Sequence, residues 1–284
     1  MKYCKRRQII MVYFIGGSST ETGINLYNKL NERYPIHKIQ EHEVSRLHFH
    51  PQDVLIRYGS RFYPELDQYC HHIVNPVSFI SWSRKKDQLL QTMEAHRIQC
   101  SHILTHEELR HPRFPLLGRR RIHSRARDIQ IIRNTQDLRR ARRCHYFVQY
   151  IPNHQEYRLH IINGDLVRIQ KKFLPHQQSP GEVIIRNYDT GWRFEDLSRE
   201  SFRHNISKLK QLVLFSKSIH SVVTKYNTSS KHTMKMYAVD VVENSHGLHF
   251  LETNAGPYLS PNGIRNYVRQ ISFFIEQAMT DESE

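Results

Sequence analysis

Cysteine is scarce in this chain of 284 residues, and its few copies are isolated. The cysteines are Cys4, Cys70, Cys100 and Cys144, and none of them stands in a CxxC pair. This spacing argues against the set of disulfides that cross-links small secreted domains. Free thiols in a reducing compartment are the simpler interpretation. We therefore expect a cytoplasmic protein.

Long apolar segments are also missing. No run approaches the roughly eighteen residues that a membrane-spanning helix needs. Residues 1–17 superficially resemble a signal peptide, because basic residues precede IIMVYFI, but the apolar run is short and no A-x-A cleavage site follows. We interpret this segment as a first strand, and we expect no membrane partner.

The common phosphate and zinc motifs are absent or incomplete. Residues 16–23, GGSSTETG, match neither GxGxxG nor a Walker loop, so a plain tight turn is favoured over a phosphate cradle. His106 opens HEELR, which lacks the second histidine of HExxH, and the other histidines are dispersed. A zinc site is therefore not expected.

Acidic residues are outnumbered by basic ones. The chain has 27 Asp and Glu against 42 Lys and Arg, so its formal net charge is +15. Such an excess favours anionic partners, namely nucleotides, nucleic acid or an acidic peptide, but charge alone does not choose among them. A hydrophobic content of 38% suffices to build packed cores, in one large domain or in two to three small ones.

The first part of the chain has an α/β pattern. Residues 9–15 form a continuous apolar run that is typical of a buried parallel strand, and a turn and a helical pattern follow. The runs at residues 53–58 (DVLIRY) and 72–74 (HIV) predict further short strands. Residues 8–80 are therefore predicted to form a small α/β domain.

Four later segments also have clear periodicity. Two are predicted strands, at residues 98–104 and 144–151. Two are predicted packing helices without chemistry of their own, at residues 202–226 and 264–279.

A hairpin is predicted around Asn163 and Gly164, since this dipeptide is among the strongest hairpin signals in a sequence. The strands EYRLHII and LVRIQKKF flank it. With a two-residue turn, Glu156 is expected to lie opposite Lys171, and Arg158 opposite Ile169.

A second hairpin brings acidic residues together. MYAVDVV and LHFLETN are strand-like runs separated by ENSHG. A turn near His246 places Asp240 across the ladder from Glu252, and the period of two puts Asn254 on the face of Glu252. Such oxygen ligands suit Mg²⁺ held jointly by protein and nucleotide. The alternative is a solvent-facing hairpin whose acids have no function.

Neither acid of this second hairpin has an obvious basic partner within the hairpin itself. Without a cation, two facing carboxylates would repel each other, and one would take up a proton. We therefore expect that removing one of the two charges leaves stability unchanged or raises it.

Asp240, followed by Glu252-Thr253-Asn254 and then Ala-Gly-Pro, resembles the metal-binding end of the ATP-grasp ligases, especially the branch of the ribosomal-protein glutamate ligase. The resemblance covers residues from about 75 to 280. It implies a mixed α/β and α+β architecture, the ATP-grasp fold, in which two α+β subdomains clamp ATP behind a small N-terminal α/β domain. The implied boundaries are 8–80, 81–148 and 149–280.

The same resemblance implies roles for individual residues. The ligands of Mg²⁺ against the ATP phosphates would be Asp240, Glu252 and Asn254. The residues that contact ATP would be Arg119, Gln149, Tyr150, Ile151 and Glu156. The catalytic residues would be Arg158, Lys171, Arg186 and Asn187. The loop after Arg119 takes the place of a glycine-rich phosphate lid, but it is rich in arginine and has no glycine.

The implied activity is that of an ADP-forming carboxylate ligase. ATP would phosphorylate a small-molecule or peptide carboxylate, and an amine or another nucleophile would attack the acyl phosphate, forming an amide or peptide bond; the charge of the chain favours acidic substrates. The alternative is a basic nucleic-acid-binding protein on a degenerate ATP-grasp scaffold, because residues 119–143 hold ten arginines. No recognised nucleic-acid motif accompanies these arginines, and the substrate and the oligomeric state stay open.

Overall fold

The computed structural model describes residues 10–16, 20–121, 129–152, 154–175, 184–186, 190–226 and 232–280. Its strands are β1 (Val12–Gly16), β2 (Ile36–Lys38), β3 (Val54–Tyr58), β4 (His72–Val74), β5 (Leu116–Arg119), β6 (Gln130–Ile132), β7 (Tyr146–Gln149), β8 (Gln155–Ile162), β9 (Asp165–Phe173), β10 (Arg193–Leu197), β11 (His232–Met234), β12 (Met236–Asn244) and β13 (Gly247–Asn254). Its α-helices are α1 (Glu21–Asn31), α2 (Val77–Arg84), α3 (Lys86–Ala95), α4 (Thr135–Arg140), α5 (Ile206–Tyr226) and α6 (Pro261–Thr280).

Contacts divide the chain into two compact units. Unit 1 comprises residues 1–81, 227–236 and 255–284, and unit 2 comprises residues 82–226 and 237–254. The three-part division at residues 80 and 148 stays a prediction.

Unit 1 contains a parallel sheet with the strand order β11-β4-β3-β1-β2. Its central strand β3 is buried along its whole length, as expected for a parallel strand covered on both faces. Helix α1 begins at Thr20, whose hydroxyl accepts a hydrogen bond from the backbone N–H of Gly23 and so caps the helix. The predicted α/β start of the chain is confirmed.

Unit 2 contains two sheets. The larger one has the order β10-β9-β8-β12-β13, in which β9 runs antiparallel to β8 and β10, and β12 runs antiparallel to β13. The smaller one has the order β6-β5-β7 and is antiparallel. The two predicted packing helices correspond to α5 in unit 2 and α6 in unit 1.

The turn between β8 and β9 confirms the hairpin signal. Asn163 has φ of 48° and Gly164 has φ of 93°, both in the left-handed region that a two-residue turn of this kind requires. A Cβ atom on Gly164 would lie 2.8 Å from Cδ2 of His220 on α5. This glycine is therefore required both by the backbone and by its neighbour.

The expected register of this hairpin is wrong by one residue. Ile161 pairs with Leu166, but His160 pairs with Arg168, so Val167 is an extra residue in β9. This bulge shifts every later pair, because two residues of one strand oppose one residue of its partner. As a result Lys171 pairs with Tyr157 and not with Glu156.

The strand expected at residues 98–104 does not form as a continuous strand. Cys100 makes an isolated bridge to Phe250 on β13, and Ile103 makes another to Val148 on β7. The segment changes partners between the two sheets, so its apolar residues are shared between two ladders.

Two further findings concern the described part of the chain. None of its helices combines the length and the apolar character that would let it cross a membrane. Cys70, Cys100 and Cys144 are free thiols.

Replacing Gly164 by alanine should lower the free energy of unfolding by about 1–2 kcal/mol, because the new Cβ is strained at positive φ and meets His220. Chemical denaturation measures this loss. Gly191→Ala is the matched control, since Gly191 also has positive φ but its Cβ would meet only Leu174, at 3.4 Å. Equal losses in both variants would show that the contact with His220 contributes nothing.

Candidate functional site

One face of the larger sheet carries a row of charged side chains. On β8 the side chains of Glu156, Arg158 and His160 alternate onto the same face. Arg158 reaches Asp240 on the neighbouring strand β12, so the acidic end of the second hairpin lies on this face too. The site is built from residues of unit 2 alone.

The acidic hairpin forms as expected. Asp240 pairs directly with Glu252 in the ladder between β12 and β13. The amide nitrogen of Asn254 lies 3.5 Å from Oδ2 of Asp240 and 3.5 Å from Oε1 of Glu252. The three oxygen-bearing side chains therefore converge.

Asp240 has a basic partner, so the expectation that the two acids face each other uncompensated is wrong. Nε of Arg158 lies 2.7 Å from Oδ1 of Asp240, and Nη2 lies 2.9 Å from Oδ2. The guanidinium carbon lies 4.2 Å from the ring centroid of Phe194 on β10. Burial alone would lower the pKa of the Arg158 guanidinium, but the effect of the Asp240 carboxylate is larger than the effect of burial, so the pKa of Arg158 is raised.

Glu252 also lies beside a cation. Nζ of Lys86, at the start of α3, lies 3.7 Å from Oε2 of Glu252 and donates a hydrogen bond of 2.6 Å to the carbonyl of Thr253. Burial lowers the pKa of the Lys86 ammonium, and Glu252 opposes that effect. An ammonium held against a carboxylate and a carbonyl is well placed to bind a further anion.

Glu156 pairs with Lys172, whose ammonium contacts Oε1. Burial raises the pKa of the Glu156 carboxyl, and the charges of Lys172 and Arg186 oppose the rise. Arg186 also stacks on Trp192, with 4.8 Å between its guanidinium carbon and the ring. Lys171 pairs with Glu195 in the ladder to β10 and lies on the other face of β9, so Lys172 takes the place expected for Lys171.

Arg119 is buried at the end of β5, directly across the ladder from Tyr146 on β7. Burial raises the pKa of the Tyr146 hydroxyl to about 12, and Arg119 opposes part of that rise. Asp87 on α3 is nearby in the same charge cluster and pairs through Oδ2 with Nε of Arg121 at 2.7 Å. Within the described chain, Nε of Arg119 and Oδ1 of Asp87 are buried without hydrogen-bond partners.

The expected hinge follows β7. The backbone N–H of Gln149 donates to the carbonyl of His102, and that of Tyr150 donates to the carbonyl of Pro115. Both donors are therefore already used within the protein. Contacts of Gln149 and Tyr150 to an adenine edge would have to use other groups, and Ile151 is the third residue of this hinge.

A neutral histidine lies beyond Arg158 on the same strand. His160 is fully buried, its Nε2 lies 2.8 Å from Oε1 of Gln170, and burial lowers its pKa to about 3. Gln170 in turn donates to Asp196, which also accepts from the guanidinium of Arg168. Burial therefore favours the neutral imidazole at His160, and the contact with Gln170 orients it.

Sequence reasoning missed Lys86, Lys172, Phe194 and Tyr146. Lys172 stands next to Lys171, which was singled out, and the bulge in β9 decides which of the two points inward. Asn187 was predicted to be catalytic and lies outside the described residues.

No known family profile and no curated protein matches the sequence. Solved structures do match over nearly the whole chain. The D-alanine–D-alanine ligase from Bacillus anthracis, in complex with ATP, is 11% identical, with a TM-score of 0.66 over 97% of this chain and 100% of that one. The RimK domain ATP-grasp protein from Sphaerobacter thermophilus is 12% identical, with a TM-score of 0.57 over 95% and 98%. The ATP-grasp ligase PsnB, with a variant of its minimal precursor, Mg and ADP, is 9% identical, with a TM-score of 0.59 over 96% and 99%.

The chain has the ATP-grasp fold. The predicted fold class is thereby confirmed. At these identities the likeness establishes the ATP-grasp fold alone, so the chemistry must be argued from the side chains.

The side chains that could bind a metal in this ATP-grasp chain limit which metal ions are suitable. In the part of the chain that the structure describes, no group of three or more His, Cys, Asp or Glu side chains could hold a metal ion. Asp240, Glu252 and Asn254 provide two carboxylates and one amide, so a cation there would need further oxygen ligands from a bound molecule. That is a pattern for Mg²⁺ shared with phosphates rather than for a metal enclosed by protein.

Asp240→Asn should destabilise the fold by an amount on the order of 3 kcal/mol, because it leaves the largely buried Arg158 without its counter-charge. Glu252→Gln should cost less, about 1 kcal/mol, since Lys86 keeps the Thr253 carbonyl as an acceptor. Chemical denaturation without nucleotide compares the two.

The double variant Arg158→Gln with Asp240→Asn is the control for this prediction. It should lose less than the sum of the two single losses, because contacting residues are coupled. Additive losses, or an Asp240→Asn protein as stable as the wild type, would contradict the assigned ion pair.

Proposed function

We propose that this chain is an ATP- and Mg²⁺-dependent, ADP-forming carboxylate ligase that works through an acyl phosphate and forms an amide or peptide bond. The observation that carries the proposal is the convergence of Asp240, Glu252 and Asn254 beside buried cations on one sheet face of an ATP-grasp fold. Since the cell interior supplies ATP and Mg²⁺, a cytoplasmic location belongs to the same proposal.

The residues fit Mg²⁺. Both oxygens of Asp240 are held by Arg158, yet each keeps a second lone pair that can face a metal. Glu252 lies beside Lys86 and offers the second carboxylate. Asn254 would contribute its amide oxygen. When bound, Mg²⁺ would neutralise the negative charge that spreads over the oxygens of the phosphoryl group during its transfer.

The residues also fit the phosphates of ATP. Nε of Arg119 is buried without a partner in the described chain, which is costly unless an anion binds there. Lys86 presents an ammonium between Glu252 and the same region, and Lys172 lies on the sheet face beside Glu156. In this proposal Arg119 and Lys86 bind phosphate oxygens, while the carboxylates partly neutralise the cations until ATP arrives.

Arg158 and Arg186 have different tasks in the proposed reaction. Arg158 is held in a fixed plane between Asp240 and the ring of Phe194, so it orients the metal-binding carboxylate. Arg186 stacks on Trp192 near Glu156 and is assigned to the carboxylate that becomes phosphorylated. Both are arginines, whose planar fork suits carboxylate and phosphate oxygens.

The substrates are proposed by class. The carboxylate and the amine are small molecules or peptides, as the D-alanine–D-alanine ligase and the precursor-bound PsnB indicate for two proteins of the same fold. Incubating the protein with Mg·ATP and either mixed amino acids or a peptide extract, and following ADP release and new condensed masses, would identify the pair.

Glu252→Gln should abolish ATP turnover and remove the thermal stabilisation by Mg·ATP, because it removes one of the two negative charges that would hold Mg²⁺. The wild type should be stabilised only when metal and ATP are both present. Asn254→Ala should be milder, since water can partly replace one neutral ligand. Turnover assays and melting curves with and without Mg·ATP test both variants.

The control for this experiment is Glu243→Gln, at the other end of the same hairpin, where Glu243 pairs with Lys208. That variant should keep its turnover. A folded Glu252→Gln protein that still turns over ATP at the wild-type rate would contradict the ligase proposal.

Arg119→Ala should weaken ATP binding or turnover by at least tenfold, because a buried charge opposite the phosphates is lost. Arg139→Ala and Arg140→Ala, in the exposed last turn of α4, should change turnover less than twofold. Steady-state kinetics compares the three. A similar loss of turnover in all three variants would mean that the arginines act only through their combined positive potential and not through a specific contact of Arg119 with ATP.

A further inference from the structure

A second basic surface lies outside the proposed nucleotide site. It is defined here as the α4 surface, and it consists of Arg133, Arg139, Arg140, Arg142 and Arg143. All five side chains are exposed, and in the described chain none of them makes an ion pair. Five unpaired guanidinium groups within residues 133–143 need an explanation, because surface charges of both signs are usually interspersed.

The acidic residue of this segment does not neutralise the α4 surface. Asp137 is the sole carboxylate in residues 133–143 of the sequence. Its Oδ2 accepts a hydrogen bond of 2.9 Å from the backbone N–H of Arg133, so it serves the start of the helix. The local charge is therefore strongly positive.

Helix α4 and the side chain of Arg119 belong to opposite faces of the small sheet. Leu116 of β5 clusters with Ala141, and Leu138 of α4 packs against them. Leu116 and Arg119 are three residues apart on one strand, so the pleat puts them on opposite faces. The helix therefore covers the face of the small sheet opposite to Arg119.

We propose that the α4 surface binds the phosphate backbone of double-stranded nucleic acid. Phosphate contacts from arginine alone can supply affinity that is independent of sequence. A peptide or folded-protein partner would need apolar anchors, and single strands would need aromatic platforms for stacking. In the described chain the exposed large hydrophobic side chains lie outside residues 133–143: they are Met11, Ile24, Phe62, Tyr69, Ile206, Leu214, Tyr258, Phe273 and Met279.

Fluorescence anisotropy with labelled DNA and RNA duplexes of about 20 base pairs tests the proposal. The probes for other anions are a single strand of the same sequence and a labelled glutamate-rich peptide. The duplexes should bind most tightly, without ATP, and with a slope of log K against log salt of roughly −4 for four to five phosphate contacts. The DNA and RNA arms show which backbone is preferred.

The variant Arg139→Gln, Arg140→Gln, Arg142→Gln, Arg143→Gln should lose at least tenfold in duplex affinity and most of the salt slope, while ATP turnover stays normal. The matched control is Arg199→Gln, Lys210→Gln, Lys217→Gln, Lys225→Gln, which removes the same charge from exposed positions of the same unit and should change affinity less than threefold. Melting curves check folding, and the pairs Arg139→Gln with Arg140→Gln and Arg142→Gln with Arg143→Gln replace the quadruple variant if it does not fold.

Other outcomes overturn the proposal. Equal losses in the quadruple variant and its control would assign binding to the net charge of the chain. Tighter binding of the single strand or of the glutamate-rich peptide would assign the surface to that partner. A wild-type protein that binds none of the probes would leave the surface without a polyanion role.

Discussion

The ion pair between Arg158 and Asp240 is the interaction on which the site depends. Two hydrogen bonds of 2.7 and 2.9 Å fix the carboxylate in the plane of the guanidinium, and Phe194 covers the guanidinium from one side. Burying this pair costs desolvation, which bidentate geometry and additional contacts offset only in part. Such a pair adds little stability compared with apolar packing, but it aims one carboxylate at a fixed point of the sheet face.

Pairing of charges explains how so many ionisable groups share a partly buried face. Three cations of the site lie beside three carboxylates: Arg158 pairs with Asp240, Lys172 with Glu156, and Lys86 lies beside Glu252. The contacts differ in quality. Asp240 and Glu156 are held closely, whereas the distance from Lys86 to Glu252 is 3.7 Å and Nε of Arg119 is without a partner in the described chain. Of these groups, Arg119 has the most to gain from a bound anion, because its Nε is buried without a partner in the described chain.

Local features such as turns can be predicted from the sequence, whereas the register of strands and the partners of side chains across the sheet depend on the tertiary structure. The Asn163-Gly164 turn follows from a short-range signal, because these two residues favour the positive φ angles of a two-residue turn. The pairing of Asp240 with Glu252 agrees with the prediction, but the structure reaches it through a bulge: Asn244 pairs with Gly247, and Leu251 is an extra residue that shifts the register before Asp240. The extra residue Val167 has no such signal, and it moves Lys172 into the place expected for Lys171. The basic partner of Asp240 could not be found within its hairpin, since it comes from β8, whose position beside β12 is a property of the whole sheet.

Part of the excess of positive charge lies outside the site. The three ion-paired cations of the site are balanced by three carboxylates and so contribute nothing to the net charge of +15, whereas the exposed arginines of the α4 surface do contribute to it. Charge that is paired inside a site acts at contact distance and is screened little by salt, whereas unpaired charge on an exposed surface acts through solvent and is screened within about 10 Å. The pleat of β5 puts Arg119 on one face of the small sheet and Leu116, which clusters with residues of the α4 segment, on the other. The buried charges of the site and the exposed arginines of the α4 surface are thus expected to act on anions over different distances and with different sensitivity to salt.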